Sequence, residues 1–249
     1  MGKSFNGKCI SMTNIGLKRL NNDDKAFAFK NEKNQVLLCV FDGMGGHNQG
    51  NFASSTAYKV FKENFTNIKP FFSWINGYFW LKKNIRIVNR IIYKKASSDD
   101  NYKGSGTTLS IAMVIKNKLL VAQMGDSRTY KVDNNNSLVQ LSEDQTVAMH
   151  DYRAGLIKKE EVNKDPKRHT LTNALGIYYR PKFDLKIYKY EGEKILVCSD
   201  GLYNNLPSSQ INNILTGSLT IEQKITELIH QANFNGGSDN IAISLWETL

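Results

Sequence analysis

Long hydrophobic runs are missing from this 249-residue chain. The longest clean one, Val36-Leu-Leu-Cys-Val-Phe41, stops at six residues, far short of the about 20 that a bilayer-spanning helix needs, so a helical membrane protein is excluded. No apolar stretch follows the start, and no secretory signal is expected. Asn6 stands where a myristoylation pattern wants Ser or Thr, so no lipid anchor is expected either. Cysteine is scarce: only Cys9, Cys39 and Cys198. An odd number, two of them inside apolar runs, predicts reduced thiols in a cytoplasmic protein rather than a disulfide framework. No Cys/His spacing resembles a zinc site, and the four histidines are scattered. Proline occurs only four times, and there is neither a Pro/Gly/Ser-rich linker nor a repeat. One domain over residues 1–249 is the expectation, with a monomer as the default.

Acidic residues are also in deficit, 23 against 33 Lys and Arg, for a net charge of +10. Such an excess permits an acidic partner. No nucleic-acid-binding motif accompanies it, and nucleic acid is not expected as a partner. Residues 82–95 hold Lys82, Lys83, Arg86, Arg90, Lys94 and Lys95 with no acid. They read as a solvated helix face, or as a docking surface for acidic or phosphorylated protein. Residues 71–80 hold six aromatics in ten and read as core packing at a helix start, with a partner-binding patch as the alternative.

Strands are expected at about 36–41, 107–115, 118–123, 128–132, 138–141, 183–190, 195–199 and 241–245, where Val, Ile and Leu cluster. Asp133-Asn-Asn-Asn136 reads as a hairpin loop between two of them. Helical spacing appears in Trp74, Tyr78, Leu81, Ile85, Val88 and Ile92, in Ile221, Ile225, Leu228 and Ala232, and at about 48–64. Segment 142–182 is polar and short of strands, with room for short helices near 145–154 and 158–164. Many strands and a few long amphipathic helices predict packed sheets with helices outside.

The informative pattern is aspartate at strand ends. Val36–Phe41 runs into Asp42-Gly-Met-Gly-Gly-His47, and the strand at 195–199 runs into Asp200-Gly-Leu. Gly236-Gly-Ser-Asp-Asn240 leads into another strand, Gly125-Asp126-Ser-Arg128 follows one, and Arg19-Leu-Asn-Asn-Asp-Asp24 sets adjacent carboxylates after a cation. Singly, each is ordinary turn chemistry. Gathered at one sheet edge, the carboxylates would repel one another unless a cation neutralised them. An all-oxygen donor set suits Mg²⁺ or Mn²⁺, and two such ions can activate water for attack on phosphorus.

These segments, with Gly104-Ser-Gly-Thr-Thr108, Leu171-Thr-Asn-Ala-Leu-Gly176 and Ser238-Asp-Asn240, resemble in their order the metal-dependent protein phosphatases of type 2C. The likeness is closest to the short bacterial serine/threonine phosphatases and runs from about residue 10 to 246. It implies an α+β fold, a four-layer αββα sandwich of two antiparallel sheets flanked by helices, with a flap subdomain at about 145–180. It implies two Mn²⁺ or Mg²⁺ ions and a third, weaker one. By the same resemblance Asp42 bridges both ions, Gly43 offers a carbonyl, Asp200 and Asp239 hold the first ion, and Asp23, where the family usually has Glu, holds the second. Asp24 orients water, Arg19 grips the substrate phosphate, Asp126 with Asp200 holds the third ion, and Asn240 supports Asp239.

The implied reaction is hydrolysis of phosphoserine and phosphothreonine on proteins by a metal-bridging hydroxide, with no phosphoenzyme, opposing a bacterial-type serine/threonine kinase. The alternative is a non-catalytic phosphoprotein-binding member. Departures from the family pattern are Met44 in place of a histidine proposed as general acid, with His47 nearby, and Asn173 in place of a flap arginine. Gly104–Thr108 lacks the Gly-Lys of a phosphate-binding P-loop, and Arg128 reads as an internal ion-pair partner.

Overall fold

The computed structural model describes residues 4–46 and 49–248; His47 lies outside them. In chain order the elements are β1 (Gly7–Asn14), β2 (Lys25–Lys30), β3 (Val36–Phe41), β4 (Gly43–Met44), α1 (Gln49–Thr66), α2 (Trp74–Ser98), β5 (Gly106–Thr107), β6 (Leu109–Ile115), β7 (Lys118–Met124), β8 (Arg128–Val132), β9 (Leu138–Gln140), α3 (Val147–Arg153), α4 (Lys159–Val162), β10 (Asp184–Lys189), β11 (Lys194–Cys198), α5 (Asp200–Tyr203), α6 (Ser208–Thr216), α7 (Ile221–Phe234) and β12 (Ile241–Thr248). Two five-stranded sheets form, in the orders β1-β12-β11-β8-β9 and β10-β7-β6-β3-β2, with β4 and β5 as a short separate pair. Every pairing is antiparallel.

The apolar run of β3 is continuous because both its faces are covered. Leu37, Cys39 and Phe41 pack under α1 and α2, against Phe61, Leu81 and Ile85. The alternate residues Val36, Leu38 and Val40 meet the opposing sheet at Val197, Ala242 and Trp246. The other sheet behaves likewise: Leu196, Cys198, Ile243 and Leu245 lie under α6 and α7. The result is helices, sheet, sheet, helices, the sandwich the sequence implies. No helix among the described residues is long and apolar enough to cross a membrane.

Register alone then assembles one edge. Phe41, ending β3, sits opposite Lys25, starting β2, and Met124, ending β7, sits opposite Leu109, starting β6. In the other sheet Cys198 lies opposite both Arg128 and Ile243, and Asn14 opposite Ile241. The segments leaving these ends carry Asp24, Asp42, Asp126, Asp200 and Asp239. Hydroxyls stitch the sheets together just behind them. Thr108 Oγ1 and Ser127 Oγ are 2.6 Å apart, and Ser110 Oγ and Thr129 Oγ1 are 2.9 Å apart.

β1, β2, α5 and α6 carry no strong sequence signal: β1 is mostly half-exposed and polar, and α6 is rich in Ser and Asn. The aromatic segment 71–80 is split rather than wholly core. Phe71 and Trp80 join the cluster under α1, with ring centroids 5.7 Å apart, while Phe72 and Phe79 are 88% and 62% exposed. Of the three free thiols, Cys39 and Cys198 are buried but Cys9 is only half-buried.

Candidate active site

A cavity of about 1400 Å³ opens at that edge and is lined by Arg19, Asp23, Asp42, Asp126, Asp200 and Asp239, among others. Asp42 is fixed at the end of β3 by its main chain. Its N–H donates to Thr108 Oγ1 (3.0 Å), and its carbonyl accepts from the Thr108 N–H (2.8 Å) and Thr107 Oγ1 (2.9 Å). Gly43 follows because nothing larger fits: a Cβ there would stand 2.4 Å from the Gly50 carbonyl oxygen and 2.7 Å from that of Asp23.

Asp23 and Asp24 arrive on the loop before β2. Asn240 holds that loop: its Oδ1 accepts from the Asp23 N–H (2.8 Å), and its Nδ2 donates to the carbonyls of Ile15 and Asn21 (both 2.9 Å). Asn240 thus reaches Asp239 through its main chain, whose N–H donates to Asp239 Oδ1 (2.8 Å), and reserves its side chain for the Asp23 loop. Arg19 donates from Nη2 to Asp239 Oδ2 at 2.7 Å while staying largely exposed. Asp200 opens α5, where Asn204 Nδ2 donates to its Oδ2 at 3.0 Å.

The carboxylates crowd one another. Burial, then the neighbouring Asp200 and Asp239, push Asp24 up to about 7, against hydrogen bonding with Ser199 and Asp42. Burial and Asp239 push Asp200 up to about 6. Burial and surrounding aspartates hold Asp42 and Asp126 well above the usual carboxylate range. Among the described residues nothing hydrogen-bonds to the buried Asp24 Oδ2. Clustered carboxyls of this kind, with an orphaned oxygen, fit divalent cations: added positive charge removes the repulsion, and oxygen donors suit hard ions.

One residue was missed by the sequence reading. His169, on the segment after α4, brings Nδ1 to 3.7 Å from Asp200 Oδ2. Ligand atoms of Asp126, His169 and Asp200 lie within 4.8 Å of one another. Burial, then Arg168, lowers its pKa from the ordinary histidine value. No motif spacing betrays it, because only the path of segment 163–175 brings it to the cavity.

Arg128 is an internal partner, as expected: it meets Asp144 through Nε and Nη2 (2.6–3.1 Å) and stacks 3.6 Å from the Tyr203 ring centroid. Met44 lines the cavity on β4. Asn173 donates to Gln145 Oε1 (2.9 Å) and to the Lys182 carbonyl, pinning the base of segment 145–182. That segment is also tied down by the Thr146–Leu171 bridge and by the Leu175 N–H donating to the Thr107 carbonyl (2.9 Å). Between those ties it buries little beyond Ala148 and Thr146.

The fold and site together define a two-sheet sandwich with an acidic, cation-fitting centre at its edge. Comparison with known proteins narrows the class. The family model for protein phosphatase 2C matches residues 17–242. The serine/threonine phosphatase Stp of Listeria welshimeri is 34% identical, with 94% of this chain and 93% of that protein covered. Protein phosphatase PhpP of Streptococcus pneumoniae is 30% identical, with 94% of each covered. The solved serine/threonine phosphatase of S. agalactiae superimposes with a TM-score of 0.90 at 31% identity, over 98% of this chain and 100% of that one. The chain belongs to the protein phosphatase 2C family and is a phosphatase.

Proposed function

We propose that this protein hydrolyses phosphoserine and phosphothreonine on phosphorylated proteins, using divalent cations held by Asp23, Asp42, Asp200, Asp239 and the carbonyl of Gly43. The observation that carries the reading is the meeting of five strand-end aspartates and Arg19 at one cavity. We read residues 1–249 as one catalytic domain with 145–180 as its flap, acting as a cytoplasmic monomer opposite a serine/threonine kinase. Full-length similarity to serine/threonine phosphatases supports the substrate class, and the unbonded thiols favour the compartment.

When bound, two Mg²⁺ or Mn²⁺ ions supply positive charge for the transferring phosphoryl group and acidify water for attack. The rest belongs to the chain. Asp42, anchored through Thr107 and Thr108, holds its carboxylate between the two halves of the sandwich edge. Arg19, held through Nη2 by Asp239, offers its remaining N–H groups to phosphate oxygens, planar donors that lysine lacks. Its interaction with those oxygens strengthens as negative charge builds up on them. Asp24, buried and with a free Oδ2, accepts a hydrogen bond from the attacking water and orients it. Asp126, Asp200 and His169, with ligand atoms within 4.8 Å of one another, would hold a third, weaker ion.

The test is phosphate release from a phosphothreonine peptide by wild type and Asp200→Asn, with Mn²⁺ and with EDTA. Mn²⁺-dependent turnover that falls by about 10²–10³-fold in the variant is expected. A wild type that binds Mn²⁺ and peptide yet releases no phosphate overturns the catalytic reading in favour of a phosphoprotein-binding module.

A further inference from the structure

A second concavity lies on the far side of Gln145 from the catalytic cavity. It is a groove of about 490 Å³ lined by Tyr78, Lys82 and Arg86 of α2 and by Lys182, Phe183 and Asp184 across from them. Gln145 is the partition. Its Oε1 accepts from the N–H of Gly125, the residue before Asp126, at 3.2 Å, and from Asn173 at 2.9 Å. Its Nε2 donates to Asp184 Oδ2 at 3.0 Å. Gln145 and Asn173 line the groove, while the chain neighbours of Gln145, Asp144 and Thr146, line the catalytic cavity.

The groove presents three cations against one carboxylate, and that carboxylate is already engaged by Gln145. Among the described residues Lys82, Arg86 and Lys182 have no ion-pair partner. Many other basic residues do: Lys95 with Asp99, Arg128 with Asp144, Lys131 with Glu193, and Arg153 and Lys186 with Glu143. Lys82 instead rests its ammonium 5.1 Å from the Tyr78 ring centroid, where an aromatic face keeps it beside the groove. The charge continues along α2 through the exposed Lys83, Arg90 and Lys94. From residue 83 to 94 a helix rises roughly 16 Å, the reach of about five residues of extended chain. A free phosphate would fill only the groove; a row of this length fits a polypeptide.

We propose that the groove and the basic stripe of α2 dock an acidic segment of the protein substrate while its phosphorylated residue occupies the catalytic cavity. The enzyme thereby selects phosphoproteins whose target site is flanked by Asp- or Glu-rich chain. Unpaired cations attract the segment, Tyr78 and Phe183 give its apolar side chains a surface, and Gln145 with its chain neighbours sets the distance between the two subsites. The proposal rests on the protein-phosphatase reading above.

Three substrates separate the two. These are a phosphothreonine peptide with acidic flanks on both sides, one of equal length with Ser/Gly flanks, and p-nitrophenyl phosphate, which reports on the cavity alone. Wild type is expected to show a KM roughly tenfold lower for the acidic peptide, with similar kcat, and the preference should shrink as salt screens it. The triple variant Lys82→Glu, Arg86→Glu, Lys182→Glu should lose the preference and keep its rate on p-nitrophenyl phosphate, which also shows that it has folded. Arg86→Gln should fall between. Equal KM values in wild type, or a preference that survives in the triple variant, overturn the docking proposal. So does a stripe whose charge reversal abolishes only binding to anionic phospholipid vesicles. Failure of wild type to hydrolyse p-nitrophenyl phosphate with Mn²⁺ counts instead against the phosphatase reading.

Discussion

Asn240 does more for the site than its place beside Asp239 implies. Its amide satisfies three main-chain groups of the loop that delivers Asp23 and Asp24. Asn240→Ala leaves those groups unpaired in a half-buried place, at a cost of about 1–3 kcal/mol. It should also weaken Mn²⁺ binding by about 10–100-fold, as loss of ligand support does elsewhere. Thermal unfolding in EDTA reads the first effect and calorimetric titration the second; an unchanged affinity would show that the loop holds itself. The strand-end aspartates were legible in the sequence because a strand that stops at Asp-Gly advertises its edge. His169 was not, because nothing local marks a histidine whose partners lie at positions 126 and 200. Asn240 was legible as a residue, but the bonds it makes were not.

The apolar elements were legible for a simple reason: β3, β6, β7 and β11 are buried on both faces, so composition alone marks them. β1 and β2 were not, since their order depends on pairing with β12 and β3 rather than on their own residues. Packing between elements also decides stability. Lys224 of α7, whose side chain is 2% exposed, meets Glu247 of β12 at 2.9 Å, and Lys194 of β11 meets the same oxygen at 2.8 Å. Burial raises the Glu247 pKa, but hydrogen bonds from the two lysines outweigh it and hold it below its ordinary 4.5. A depressed carboxylate contributes stability that is complete above about pH 4.5 and is lost as pH falls through the lower folded value. Glu247→Gln should cost about 3 kcal/mol at neutral pH, because it strands a buried ammonium, and should flatten that acid limb. Denaturant melts at pH 7 and pH 4 measure both; equal losses at the two pH values would contradict the assignment. Segment 145–182, tied mainly at its base, is expected to exchange amide hydrogens over 147–165 much faster than β6 or β11. Exchange mass spectrometry with and without inorganic phosphate and Mn²⁺ checks this, with slowing expected when both are present.

For the molecule as a whole, the crowded carboxyls predict a stability that rises when cations bind. Binding to the native state alone adds about 2.7 kcal/mol at a hundredfold excess over Kd. At this size that corresponds to a rise in Tm of about 5–10 °C. Scanning calorimetry in EDTA and in Mn²⁺ should show the rise in wild type. Asp200→Asn should melt higher than wild type in EDTA, having shed a crowded charge, and gain less from Mn²⁺; the opposite order would mean that repulsion at this edge is unimportant. The strand order has one more consequence. β12 lies inside its sheet between β1 and β11, and Asp239 and Asn240 immediately precede it. As the chain leaves the ribosome, β1 is cut off from the rest of its sheet until β12 emerges. Sheet closure must bring together strands more than two hundred residues apart, a slow step by topology. Until then β1 and β11 each have an open edge, the kind of surface that chaperones guard. The loop of Asp23 and Asp24 likewise lacks its Asn240 clamp until residue 240 has emerged, so competence to turn over substrate cannot precede the synthesis of β12.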